Sequence, residues 1–133
     1  MDIKLHRVTC KVAFYDKTKQ NVLLVQYKDR NFGLPGGHLE QGEDPESAVR
    51  REIYEELSLD YSLPLLRKDF LLHPHNKIAL CFVGELDMST ILKKEDSELI
   101  SLRWTSIKDI KNDKISTGAY DNFIISNSTS STG

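Results

Sequence analysis

GGHLEQGEDPESAVRREIYEELSL, residues 36–59, holds the decisive pattern of this chain. A two-glycine turn leads into a short polar loop and then into a segment with helical spacing. Asp44 can cap the free N–H groups of a helix and Pro45 suits its first position, which predicts a helix from about 45 to 58. At about 100° per residue, Val49, Ile53 and Leu57 fall on one stripe, the face that packs on a core. Glu52 and Glu56 are four apart and Glu52 and Glu55 three apart, so these carboxylates share a face bordering that stripe. They are expected at the edge of the core, partly shielded from water. Two readings are open at this point. Glu52, Glu55 and Glu56 could form a solvated face, with Arg51 and Glu55 as an ordinary i, i+4 pair. Alternatively, their mutual repulsion marks a divalent-cation site, because magnesium takes oxygen ligands and joins carboxylates to a substrate's phosphates.

Working outward, strands are expected at 5–15, 22–27, 65–72, 78–86 and 99–105, from partial alternation and apolar, β-branched content. Residues 5–15 and 22–27 read as a hairpin, and 38–40 as a short extended piece. A short helix or turn is expected at 106–111 and a further helix near 117–125. The last eight residues, SNSTSSTG, have nothing to bury and are expected to be disordered. Strands outnumber helices and one long helix comes early, which predicts an α/β chain of the mixed α+β kind, its sheet packed against helices. One domain is expected over residues 1–125, with 126–133 as its tail.

With 133 residues, 39% apolar and 29% charged, the composition is that of a globular domain able to bury a core without staples. A formal net charge of −2 argues against long nucleic acid or an anionic membrane as partner. No apolar run approaches a membrane span, and MDIKLHRVTCKVAFY lacks the pattern of a secretory signal. Cys10 and Cys81 sit in separate apolar segments and read as buried reduced thiols. A cytoplasmic location follows as an expectation.

The turn, loop and helix together resemble the signature of the Nudix hydrolases, the MutT-like nucleotide pyrophosphohydrolases. Gly37 opens the box, Glu43 follows after five residues, and Arg51-Glu52 after seven more. Ile53, the acidic pair Glu55-Glu56 and the closing Leu59 complete it. Ser58 departs from the pattern, standing where the family has a helix-ending glycine. The lead-in Phe32-Gly33-Leu34-Pro35-Gly36-Gly37 and the later Leu102-Arg103-Trp104-Thr105 also resemble the family.

The resemblance implies a mixed β-sheet sandwiched between helices over residues 5 to about 125. It implies a divalent metal, magnesium or manganese in its place, held by Glu52, Glu55 and Glu56 with the Gly36 carbonyl. Gly37, Glu43 and Arg51 would support those ligands from behind. The implied reaction is hydrolysis of a nucleoside diphosphate linked to another group. The general base is a box glutamate in some members and a later-loop glutamate in others. Glu98 is the loop candidate here, and Glu95 the second.

The substrate stays open between a nucleoside triphosphate or modified nucleotide and ADP-ribose or a nucleotide sugar. Gly37-His38-Leu39-Glu40 resembles members acting on triphosphates, while Pro74, 15 residues beyond Leu59, resembles those acting on ADP-ribose. A silent nucleotide-binding module is the third reading. Phe32 is expected in the core or against a base. Tyr120-Asp121-Asn122, with Asp121 and Asn122 as the named contacts, could bind a purine edge or merely cap a helix. His73 and His75 read as surface residues. The chain is expected as a monomer or homodimer.

Overall fold

The computed structural model describes residues 7–28, 31–73, 77–94 and 98–128, with backbone alone at 68–73 and 77. Strands β1 (Arg7–Tyr15) and β2 (Asn21–Tyr27) form the expected antiparallel pair, in register at Tyr15 and Val22. From there they part, and two short strands enter the wedge between them. β3 (Phe32–Gly33) pairs with Val25 and Gln26 of β2, and β4 (Gly36–His38) pairs with Thr9, Cys10 and Lys11 of β1. A backbone hydrogen bond from Val12 to the Pro35 carbonyl, 3.0 Å, fixes the link between them.

The sheet continues on both sides. β5 (Leu66–His73) and β6 (Lys77–Glu85) are antiparallel, with a register shift between Arg67 and Asp69. β6 runs parallel to β1 from Arg7↔Lys77 to Tyr15↔Glu85. β7 (Leu99–Ser106) pairs antiparallel with the outer edge of β2. Parallel and antiparallel pairs in one sheet make it mixed.

Period-two alternation sends side chains to two buried faces. Cys10, Val12 and Phe14 of β1 join Leu23, Val25 and Phe82 on one face, under Ala48, Val49, Ile53 and Leu57 of helix α1 (Pro45–Leu57). Ala13, Tyr15, Val22, Leu24, Ala79 and Cys81 fill the other face. There they meet Ile107 and Ile110 of α2 (Ile107–Lys111) and Phe123 and Ile124 of α3 (Asp121–Ser126). The sheet thus lies between helices. Cys10 and Cys81 are both buried and free, and they face opposite sides of it. Burial above all pushes the Cys10 thiol up to about 11.

α1 starts as its sequence dictates. The Asp44 carboxylate accepts hydrogen bonds from the Ser47 amide and hydroxyl, both 2.9 Å, and Pro45 occupies the first turn. It ends at Leu57, with Ser58 as the left-handed cap (φ 54°, ψ 33°) donating its N–H to the Tyr54 carbonyl. α3 runs through Ser126. Asn127 Nδ2 donates to the Phe123 carbonyl at 2.9 Å and Ser128 Oγ to that of Ile125 at 2.6 Å, so short polar side chains extend the ordered chain past 125. Residues 129–133, like Pro74, His75 and Glu95, lie outside the described residues.

Candidate active site

The polar loop between β4 and α1 is tied to the helix by one side chain, Arg51. Its Nε and Nη2 meet the Glu43 carboxylate at 2.7 and 3.0 Å, a two-pronged contact, while Nη2 also donates to the His38 carbonyl at 3.0 Å. Nη1 meets Glu52 Oε1 at 2.9 Å and Glu55 Oε2 at 3.2 Å. Hydrogen bonding from Arg51 holds the Glu43 carboxyl below its usual range, and the same bond raises the guanidinium's own pKa. A planar fork that stays charged can grip one carboxylate two-pronged and still reach others, a geometry a lysine's single ammonium does not offer.

Glycine is required twice at the turn. Gly36 adopts φ +140°, and a Cβ there would run into the Cys10 carbonyl. A Cβ on Gly37 would run into the Glu52 carboxylate, so Glu52 lies directly against the glycine backbone. Glu56, one turn further along α1, is 5% exposed. A carboxylate so buried needs hydrogen bonds, and the Tyr27 hydroxyl sits 2.7 Å from its Oε2. That hydroxyl is also 3.3 Å from the Gly36 carbonyl oxygen, and Lys11 Nζ is 3.5 Å from the same oxygen.

These groups open onto a cleft of about 580 Å³ at the wedge between β1 and β2. Gly36, Gly37, Glu52 and Glu56 form one wall, and Glu98 and Phe32 line the same cleft. Phe32 additionally packs on the core beneath α2 and α3, as the core reading expects. Glu55, whose side chain is 56% exposed, stays with Arg51 outside the lining. Asp121 and Asn122 also lie outside the cleft wall. The Asp121 carboxylate is engaged locally, accepting from the Ser116 hydroxyl and from the Thr117 amide and hydroxyl.

Among the described residues, no three acidic, His or Cys side chains converge as a ready metal cage. Glu52 and Glu55 both accept from Arg51 Nη1. The donors do suit a hard cation. Two carboxylates and a backbone carbonyl face a roomy polar cleft, matching an ion that takes few protein oxygens and keeps water and phosphate for the rest.

Several lining residues escaped the sequence reading: Arg7, Thr9, Lys11, Lys28, Asn31 and Thr117. Lys11 carried a signal, being a lone charge inside the apolar strand VTCKVAFY. The others take their meaning from the wedge, which no local pattern announces. Tyr27 was read only as the end of a strand. Of the triplet Tyr120-Asp121-Asn122, Tyr120 lines the cleft and the other two do not, and burial raises its hydroxyl pKa.

The NUDIX domain family model matches residues 4–124, and no curated protein matches by sequence. A MutT structure from work on Aliivibrio salmonicida and Vibrio cholerae aligns over 90% of this chain and 96% of its own, with TM-score 0.71 and 16% identity. The NUDIX domain of Shewanella oneidensis NrtR, complexed with ADP ribose, aligns over 93% and 86%, with TM-score 0.75 and 16% identity. A bifunctional NMN adenylyltransferase/ADP ribose pyrophosphatase from Francisella tularensis, complexed with AMP and a manganese ion, aligns over 97% of this chain and 44% of its own, with TM-score 0.74 and 20% identity. At such identities the likeness is one of fold. Taken with a family match that spans the sheet, the glycine turn and all of α1, it leaves one conclusion: the chain belongs to the Nudix family of pyrophosphohydrolases.

Proposed function

We propose that the protein is a magnesium-dependent pyrophosphohydrolase, with manganese able to substitute, that cleaves a nucleoside triphosphate or modified nucleotide to a monophosphate and pyrophosphate. We place it in the cytoplasm, where two buried reduced thiols are at home, as a monomer or homodimer. One observation carries the reading: Glu52, Glu56, the Gly36 turn and Glu98 share a cleft with Arg7, Lys11 and Lys28. Carboxylates for a metal and cations for phosphates thus meet in one place. The volume, about 580 Å³, lies in the range of about 300–1,000 Å³ usual for small-ligand pockets.

Glu52, Glu56 and the Gly36 carbonyl are the residues that would hold the metal, with Glu55 joining once it leaves Arg51. Bound there, magnesium neutralises charge on the phosphate oxygens and makes the attacking water more acidic. Glu98 takes that water's proton as general base. The water's oxygen bonds to the phosphorus of the nucleoside phosphate as that phosphorus loses its bridging oxygen, and the pyrophosphate leaves with the electron pair. Arg7, Lys11 and Lys28 bind the phosphate oxygens and keep them aligned. Arg51 and Glu43 hold Glu52 on the glycine turn from behind.

The test is a panel of nucleotides with magnesium, reading released phosphate and pyrophosphate. Monophosphate plus pyrophosphate from a triphosphate supports the proposal, and chelating the metal should abolish it. Cleavage of ADP-ribose to AMP, with triphosphates untouched, would move the substrate to a nucleotide sugar. Tight nucleotide binding without turnover would leave a silent binding module. Glu98→Gln should lower kcat by about 10²- to 10⁴-fold with KM nearly unchanged; a normal kcat would shift the base to the helix.

A further inference from the structure

Two elements carry the metal-facing oxygens, the glycine turn of β4 and helix α1, and both are tethered from outside. Arg51 ties α1 to the turn at the His38 carbonyl. At the opposite end of the turn the link comes from β2. The Tyr27 hydroxyl lies 2.7 Å from Glu56 Oε2 and 3.3 Å from the Gly36 carbonyl oxygen, within reach of one ligand on each element. A phenol has one proton to donate, and the shorter contact marks Glu56 as its acceptor. The ring is held in turn. It packs against the core under α1, and Lys11 Nζ sits 5.5 Å from its centroid, over the π face.

We propose that Tyr27 is a positioning residue of the hydrolytic centre: its hydroxyl fixes Glu56 Oε2 beside the Gly36 carbonyl, so that the two ligands are presented to the metal at a set spacing. The inference rests on the metal reading above. Glu56 is buried, where a carboxylate depends on well-placed donors, and the phenol supplies one at 2.7 Å to Oε2. Without the hydroxyl, Oε2 loses its 2.7 Å contact and the Gly36 carbonyl its 3.3 Å one, so the two oxygens are no longer bridged. The ring, its packing and its cation contact are untouched by that loss.

The experiment measures Mn²⁺ binding to the full chain without nucleotide, by the paramagnetic resonance signal of free Mn²⁺, for wild type, Tyr27→Phe and Glu56→Gln. Melting temperature and the separate kcat and KM values are measured alongside. Supporting partners of metal ligands change affinity roughly 10- to 100-fold when removed. Tyr27→Phe should therefore weaken Mn²⁺ binding by about tenfold or more and lower kcat more than it raises KM, with its melting temperature close to wild type. Tyr27→His, which restores a ring N–H donor, should recover part of the affinity. Should Tyr27→Phe not fold, Tyr27→His, which keeps an aromatic ring with an N–H donor, against Tyr27→Leu, which has neither, provides a second comparison. If Glu56→Gln loses Mn²⁺ but Tyr27→Phe binds within about threefold of wild type, well below the usual outer-partner effect, the role of Tyr27 is overturned and the metal reading stands. If Glu56→Gln binds Mn²⁺ like wild type, the metal assignment fails and takes the inference with it.

Discussion

Replacing Gly37 with alanine puts a methyl group where the Glu52 carboxylate now lies. Glu52 Oε1 would be 2.7 Å from the new Cβ, with Oε2 and Cδ closer still. An ordinary carbon–oxygen contact is about 3.3 Å or more, so the carboxylate must withdraw by on the order of 1 Å. The backbone need not move, because the obstructing atoms are the far end of a flexible chain. Withdrawal gives up the Arg51–Glu52 contact of 2.9 Å, between side chains that are 22% and 17% exposed. A pair at that depth is worth about 1 kcal/mol or less. Unfolding entropy of about 2.1 cal/mol/K per residue converts this to a Tm lower by about 4 °C at most for 133 residues. Activity should suffer far more, since a displacement of about 1 Å at a reacting centre costs on the order of 10²-fold in rate. The assay is pyrophosphate release under saturating magnesium, beside a thermal melt. Gly33→Ala is the control: a Cβ there meets nothing within 4 Å, so its melt should match wild type. A Gly37→Ala enzyme with a near-normal rate would refute the reasoning, showing that Glu52 does not work from its place on the glycine turn.

Three further predictions concern the helix that carries the site. Glu56→Gln should lose most activity, about 10²-fold or more, yet melt within a few degrees of wild type, because the amide oxygen can still accept from Tyr27; near-full rates would place the metal elsewhere. Asp44→Ala should lower the melting temperature by about 4 °C at neutral pH through loss of the helix cap. Hydrogen bonds from Ser47 depress the Asp44 carboxyl below its ordinary value of 3.8, so its contribution is present above that value and fades as pH falls through the depressed one. The gap between the two melts should therefore close in acid, and a constant gap would remove the carboxylate from the cap. Ser58→Gly should raise Tm by about 2–4 °C with an unchanged rate, because glycine takes the left-handed cap without the penalty on a Cβ; a lower Tm would show serine holding that turn in its own way.

The helix was open to reading because its signals are local. Asp44-Pro45 marked its start, the stripe Val49, Ile53, Leu57 set its buried face, and helical spacing then forced Glu52 and Glu56 to the edge of the core. The five long strands followed from alternation, to within a residue or two where they are described, whereas β3 was not read as a strand and the extended piece expected at 38–40 lies at 36–38. What stayed hidden depends on how the sheet is put together. β1 and β2 part after Tyr15 and Val22, and nothing in either segment says so. Lys11, Tyr27 and Tyr120, far apart in the chain, become neighbours only around that opening. Asp121 shows the opposite case: of its two sequence readings, the local one matches its hydrogen bonds to Thr117. The departure at Ser58 turned out to concern how α1 ends, since the serine simply adopts the glycine-like conformation.

The wedge between β1 and β2 has a consequence for redesign. On the proposed reading the metal-holding carboxylates all come from α1 and the base from Glu98, while most of the cleft's remaining wall comes from β1, Tyr27, Lys28, residues 31–34, Thr117 and Tyr120. Chassis and adapter are thus separate stretches of chain. On the proposed reading, grafting new side chains at Thr9, Asn31, Phe32, Thr117 and Tyr120 would retune which nucleotide is accepted, with the engine that breaks the phosphoric anhydride left as it stands.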